Sequence, residues 1–229
     1  MEWAAANAGR ILSLAGQHLV LAIVPLLLGL VISLPLAQLV RRHPAWRTAL
    51  LTLSSVLYTV PSLALFIILP VVLGTRILDP VNVIVALTVY AVALLMRSAL
   101  DSLDSVDGEL SLAARALGHT AVSRYFQVDL PLSLPVLIAG LRAISVSNIS
   151  LVSVAALVGM PNLGILFTEG LQRDFVTEIV VGLVAILVLA LIMDLLLVVL
   201  GRVLSPWARF ASGAAPRKPV TPARRAVRG

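Results

Sequence analysis

The 229-residue chain contains no cysteine, which excludes disulfides and thiolate metal sites. Lys218 is the only lysine, and no glycine-rich loop precedes it. A phosphate-cradling nucleotide loop is therefore absent, and any ATP used in this protein's work must be hydrolysed on another chain. The three histidines, His18, His43 and His119, are far apart and form no metal-binding pattern. Charge is scarce at 12% and aromatics scarcer at 5%, where a soluble domain carries about 25% charged residues. No bound cofactor and no covalent chemistry are expected of this chain.

What fills the sequence is aliphatic: 60% of it is hydrophobic. A soluble fold of this size cannot cover so much apolar surface, so the surrounding solvent is lipid. The expected fold class is an all-α integral membrane protein. A bilayer core needs roughly 20 apolar residues of helix. Five segments meet that: Leu19–Val40, Ala49–Leu73, Val81–Leu100, Leu134–Val158 and Ile179–Leu200.

Basic residues orient the spans. Arg41, Arg42 and Arg47 follow the first span, and Arg97, Arg115, Arg124 and Arg142 border or occupy the region between the third and fourth. Arg202, Arg209, Arg217, Lys218, Arg224, Arg225 and Arg228 follow the fifth, while the opposite side has only Arg10, Arg76 and Arg173. This places the N-terminus outside, the C-terminus in the cytoplasm and loop 101–132 in the cytoplasm. Trp46 and Trp207 fall just beyond cytoplasmic span ends, where indole prefers the interface. The expected organisation is an external segment 1–18, a membrane domain 19–206 and a basic tail 207–229 without fixed structure. Met1–Gln17 does not read as a cleavable signal. It reads as a short helix on the outer surface, with Trp3, Ile11 and Leu14 towards lipid. The net charge of +6 reads as an orientation signal with anionic-lipid contact, not as a nucleic-acid footprint.

Inside the spans, Pro25, Pro35, Pro61 and Pro70 kink helices whose neighbours can re-satisfy the backbone. Span four is the least oily. Ala139, Ala143 and Ser147 make a narrow ridge suited to close helix contact, while Asn148 and Ser150 are candidates for a wet pathway. Tyr58, Tyr90 and Phe66 are the aromatics that could reach such a pathway, with Pro61 as a gate candidate; ordinary packing is the other reading. Arg142 and Asp194 lie on the order of 10–13 Å deep at about 1.5 Å per residue. Charges there require a partner or water. They are expected to form a buried ion pair joining spans four and five, as brace or as gate.

Loop 101–132 is far longer than a helix pair needs. It opens with Asp101, Asp104, Asp107 and Glu109. Leu112–Leu117 reads as one short helix, Gly118 as a joint, His119–Val128 as a second helix, and Pro131 as its stop. Two uses fit such a segment: a knuckle that another surface approaches closely, or an amphipathic hairpin lying on the membrane.

Ala113 and Ala114, Gly118 four residues on, then Val128, Leu130 and Pro131 match in register the EAA motif of ABC-importer permeases, which the chain resembles. One departure stands: the motif's Glu position is Leu112, with Glu109 three residues earlier as a partial substitute. The resemblance implies that Glu109, Leu112, Ala113, Ala114, Gly118, His119, Val128, Leu130 and Pro131 belong to a coupling helix seated on an ATPase subunit. The stretches YTVPSLALFIILP, LPLSLPVLIAGLR and LVGMPNLGILFTEGL resemble the branch importing glycine betaine, choline and carnitine. The last of them is poorer in glycine than that branch usually is, and methionine permeases share much of the plan. The resemblance implies a multi-pass subunit of the bacterial inner membrane with two ATPase subunits that bind ATP and Mg. It also implies a second permease, identical or homologous, and an extracytoplasmic binding protein that delivers a small solute. The alternatives are a permease for another solute such as an amino acid, an ion-gradient-driven transporter or channel, and a non-transporting membrane scaffold.

Overall fold

The computed structural model describes residues 2–207. Beyond Trp207, the basic tail expected from the sequence lies outside the described residues. Among the described residues every regular element is helical. In chain order they are α1 (Glu2–Ala6), α2 (Ala8–Val40), α3 (Pro44–Thr59), α4 (Ser62–Leu73), α5 (Pro80–Asp104), α6 (Gly108–Ala116) and α7 (Ala121–Arg124). A π turn (Tyr125–Asp129) leads into α8 (Leu130–Val154), a 3-10 turn (Ala155–Val158) follows it, and α9 (Ile165–Gln172) and α10 (Val176–Leu204) complete the chain. Among the described residues four helices are long and apolar enough to cross a membrane, or five if the bent pair α3 and α4 is counted as one broken span.

α5 is the axis of the bundle, touching α2, α3, α4 and α8. Asp79 caps its start, accepting from the Val81 N–H at 2.9 Å, with Pro80 in the first turn, where a missing N–H costs nothing. Its buried face carries small residues, Ala86, Ala91 and Ala99, that let neighbouring backbones come close. Gly29 on α2 uses that space. A β-carbon there would sit 2.7 Å from the Ala91 β-carbon, so any larger residue pushes the two helices apart.

Three expectations are corrected. First, α2 begins at Ala8, upstream of the expected Leu19, because nothing before His18 stops a helix. Trp3, Ile11 and Leu14 do not face lipid. They pack in one cluster with Leu163 and Leu166, and the Trp3 ring meets Phe175 edge-on at 5.6 Å. Second, the second span is not one helix: α3 and α4 are bent by 99°. Proline disfavours the helical region for the residue before it. Val60 is extended (φ −64°, ψ 129°), and so is Pro61 (φ −61°, ψ 126°). Two successive extended residues turn a kink into a break. Third, Pro131 does not stop the helix that precedes it. The run from Ala121 to Val158 is continuous. The π turn, closed by the Leu130 N–H on the Tyr125 carbonyl, absorbs the proline in the first turn of α8.

Candidate functional site

Between α5 and α8 the chain folds into a projecting knuckle. Asp107 starts α6 by accepting from the Glu109 N–H at 2.9 Å, an N-cap of the usual kind. The other end of α6 closes on Gly118, whose φ is +88°. The Gly118 N–H reaches the Arg115 carbonyl at 2.9 Å and the His119 N–H reaches the Ala114 carbonyl at 3.1 Å. This double bond pattern needs a left-handed residue at that position, which glycine supplies without strain. Thr120 then caps the second leg, accepting from the Ser123 N–H at 3.2 Å. The His119 ring meets the Ser123 hydroxyl at 3.0 Å. The legs are thus Gly108–Ala116 and Ala121 onward, wider apart than the sequence pattern suggests, since both caps take residues from the joint.

The knuckle presents apolar side chains outward. Leu112 is 63% and Leu117 81% exposed, while Ala114 is buried. Glu109 and Ala113 are exposed, and Val128 and Leu130 are half-buried in the π turn and the first turn of α8.

The base of the knuckle is a buried charge cluster. Asp129, 1% exposed, accepts from Arg41 Nη2 at 2.7 Å and from Arg124 Nε at 3.3 Å. Arg41 Nη1 also donates to the Leu103 carbonyl at 3.3 Å. One carboxylate therefore ties the ends of α2 and α5 to the second leg and to the start of α8. Sequence reading used Arg41 and Arg124 only to orient spans and passed over Asp129. An aspartate five residues after an arginine, next to a Leu-Pro pair, was the available signal.

At the break in the second span, the candidates Tyr58, Pro61 and Tyr90 come together. The Tyr90 hydroxyl donates to the Val60 carbonyl, which the break leaves without a helical partner. The Tyr58 and Tyr90 rings meet edge-on with centroids 5.9 Å apart. Tyr58 and Pro61 are exposed on the chain surface and Tyr90 is buried.

Arg142 and Asp194 form a two-point pair, Nε to Oδ1 at 2.7 Å and Nη2 to Oδ2 at 2.8 Å. The pair is not buried in the single chain: its side chains are 41% and 28% exposed. α8 and α10 carry it on their outward side. Asn148 lies at the contact between α8 and α2. It is buried, and its amide donates to the Ala22 carbonyl at 2.6 Å. Beside it the His18 Nε2 donates to the Ile149 carbonyl at 3.0 Å, so α2 and α8 are stitched twice. Ser150 is exposed. Ala139 and Ala143 are also exposed. The close helix contact expected of them is made instead by Gly140, where a β-carbon would overlap the Ser98 side chain.

The end of the bundle opposite the knuckle carries a second network that the sequence did not reveal. Arg10 Nη2 lies 2.6 Å from Glu169 Oε1, and Arg173 Nη2 lies 3.0 Å from Glu169 Oε2. Both arginines also flank Glu178, fully buried at the start of α10, at 3.4 and 3.6 Å. The network joins α2, α9 and α10 around the glycine-containing segment that follows the 3-10 turn.

Residues 26–210 match the family described as binding-protein-dependent transport system inner membrane component. The chain is 34% identical to the osmoprotectant import permease protein OsmW of Salmonella typhimurium, over 87% of this chain and 94% of that one. It is 28% identical to the glycine betaine/carnitine/choline transport system permease protein OpuCB of Bacillus subtilis, over 90% of this chain and 94% of that one. A chain of the methionine ABC transporter MetNI in an inward-facing conformation superposes with a TM-score of 0.75 at 21% identity, covering 87% of this chain and 98% of that chain. At that identity the likeness concerns the fold alone.

Proposed function

The chain belongs to the family of binding-protein-dependent transport system inner membrane components, and from that membership we propose how it works as the permease subunit of an importer. Membership removes the scaffold and ion-gradient alternatives. It implies partners for ATP hydrolysis, for solute capture and for completing the pathway. In our reading there are two ATPase subunits, which hold ATP and Mg, one extracytoplasmic binding protein and a second permease, identical or homologous. The solute is a quaternary-ammonium osmoprotectant of the glycine betaine, choline and carnitine kind. The substrate names carried by the two relatives support this class.

The observation that carries the mechanism is the Gly118 joint between two capped legs, which holds Leu112 and Leu117 out from the bundle. This knuckle lies in the cytoplasm and seats on an ATPase subunit. Leu112 replaces the motif's charged residue, so the contact there is apolar. When ATP closes the ATPase pair, the knuckle moves. Its base is tied through Asp129 to α2, α5 and α8 together, so the push reaches three helices at once. The broken second span, with Tyr58 and Pro61 exposed, borders the route that opens. Solute recognition resides in the binding protein, and this subunit supplies a low-affinity path.

The test is reconstitution of the permease with its ATPase and binding protein in liposomes. Uptake of glycine betaine, choline or carnitine that requires both ATP and the binding protein supports the reading. Uptake confined to methionine or another amino acid overturns the solute class, and uptake by the permease alone overturns the mechanism.

A further inference from the structure

A groove of ≈ 500 Å³ lies between the end of α2 and the second leg of the knuckle. Its walls are mostly apolar, with Pro35 and Leu39 from α2 and Val122 and Phe126 from the second leg, and Arg42 also lines it. Leu39 is 68% exposed and Phe126 61%. Residues Leu28, Ile32, Pro35 and Leu39 are all exposed. They recur at helical spacing along one stripe of α2, and Arg42 continues it. The groove therefore lies at the end of an exposed apolar stripe of α2, next to a cation.

That cation has no carboxylate of its own. Arg42 makes no ion pair or hydrogen bond to another described residue. Partial burial, followed by the like charges of Arg124, Arg115 and Arg41, holds its guanidinium below the ordinary arginine pKa. Three arginines thus press their charge on Arg42, and the carboxylate that opposes them, Asp129, is already shared by Arg41 and Arg124. An occupant that satisfies this place has an acyl chain for the apolar walls and an anion for Arg42.

We propose that the groove binds an anionic phospholipid of the phosphatidylglycerol kind. Its phosphate lies on Arg42 and its acyl chain lies along Leu39 and Phe126. Clustered arginines beside a span end are suited to anionic headgroups, and the excess positive charge rejects a zwitterion carrying its own ammonium group. Placing this lipid in the cytoplasmic leaflet rests on the orientation proposed above for the knuckle. The lipid then touches the moving leg directly, and lipid composition tunes the coupling of ATP hydrolysis to transport.

The experiment is native mass spectrometry of the full-length chain in detergent, with phosphatidylglycerol and phosphatidylcholine of identical acyl chains. The chain retains phosphatidylglycerol preferentially. Arg42→Gln lowers that retention about fivefold, the effect of one juxtamembrane charge, and leaves phosphatidylcholine unchanged. Arg76→Gln, which removes a charge at the far end of the bundle, changes neither. Equal retention of the two lipids, or retention unaffected by Arg42→Gln, overturns the site. In membranes holding the whole importer, a photo-crosslinker at Val122 gives an adduct of lipid mass; an adduct with the ATPase assigns the groove to protein and overturns the site as well. Sided labelling of Leu117→Cys reads the orientation separately. Labelling from outside overturns the leaflet assignment and the proposed coupling, while the headgroup chemistry is still judged by Arg42→Gln.

Discussion

Arg142 on α8 and Asp194 on α10 face each other with both nitrogens engaged, at 2.7 and 2.8 Å, on a surface the single chain leaves partly open. Two-point geometry of this kind is the strongest a guanidinium makes with a carboxylate. Removing one partner leaves a lone charge at membrane depth, where it is poorly tolerated. Asp194→Asn and Arg142→Gln are each expected to lower the melting temperature of the purified subunit. The swapped variant Arg142→Asp/Asp194→Arg is expected to recover most of the loss. Equal melting of all four proteins would show that the pair carries no stabilisation.

Asp129 is expected to be less dispensable. Asp129→Ala leaves Arg41 and Arg124 buried around an empty position, and breaking a buried pair from one side costs about 3–5 kcal/mol. Denaturant or thermal unfolding of the variant checks this. Because the carboxylate ties three helices to the knuckle, the surviving protein is also expected to stimulate ATP hydrolysis less when the binding protein is added.

Gly118 separates backbone from surface effects. Its φ of +88° is costly for a β-branched residue, on the order of 1–2 kcal/mol, and asparagine tolerates it better. No atom of the chain lies within 4 Å of where a β-carbon would be. Gly118→Asn is therefore expected to keep the unfolding midpoint of the isolated subunit, and Gly118→Val to lower it. Both are expected to weaken capture of the ATPase, since the space above Gly118 is where the partner sits. Pull-down beside thermal melting distinguishes the two effects.

The break at Val60–Pro61 makes a fourth expectation. Tyr90→Phe removes the donor to the Val60 carbonyl and keeps the ring contact with Tyr58. A hydrogen bond of this type contributes about 0.5–1.5 kcal/mol. Pro61→Ala is expected to relax the 99° bend. Spin labels at Thr52 and Val71 are expected to move apart in Pro61→Ala and to broaden their distance distribution in Tyr90→Phe. Unchanged distances in both variants would show that packing, not proline and Tyr90, sets the angle.

The membrane spans were legible because an aliphatic run of some 20 residues has one use. The caps Asp107 and Thr120 and the Gly118 joint were partly legible, since each is a local backbone requirement. What the sequence hid was non-local. Asp129 meets Arg41 across 88 residues of chain, and an arginine read as an orientation signal does not announce a buried partner. The Arg10, Glu169, Arg173 and Glu178 network was hidden in the same way. The right-angled break at Pro61 was underestimated because proline alone specifies a kink. The second extended residue comes from tertiary support, with Tyr90 satisfying the freed carbonyl. The outward exposure of Ala139, Ala143 and Ser150 depends on which neighbour α8 lacks within its own chain, which periodicity does not encode.

The most direct measurement uses the absence of cysteine. Leu117→Cys places the only thiol of the chain on the tip of the knuckle. In membranes containing the whole importer, a thiol-to-amine crosslinker is expected to join it to the ATPase subunit, in a yield that changes when ATP binds. No ATPase adduct, together with labelling of that cysteine by an impermeant maleimide added outside intact cells, would contradict the account.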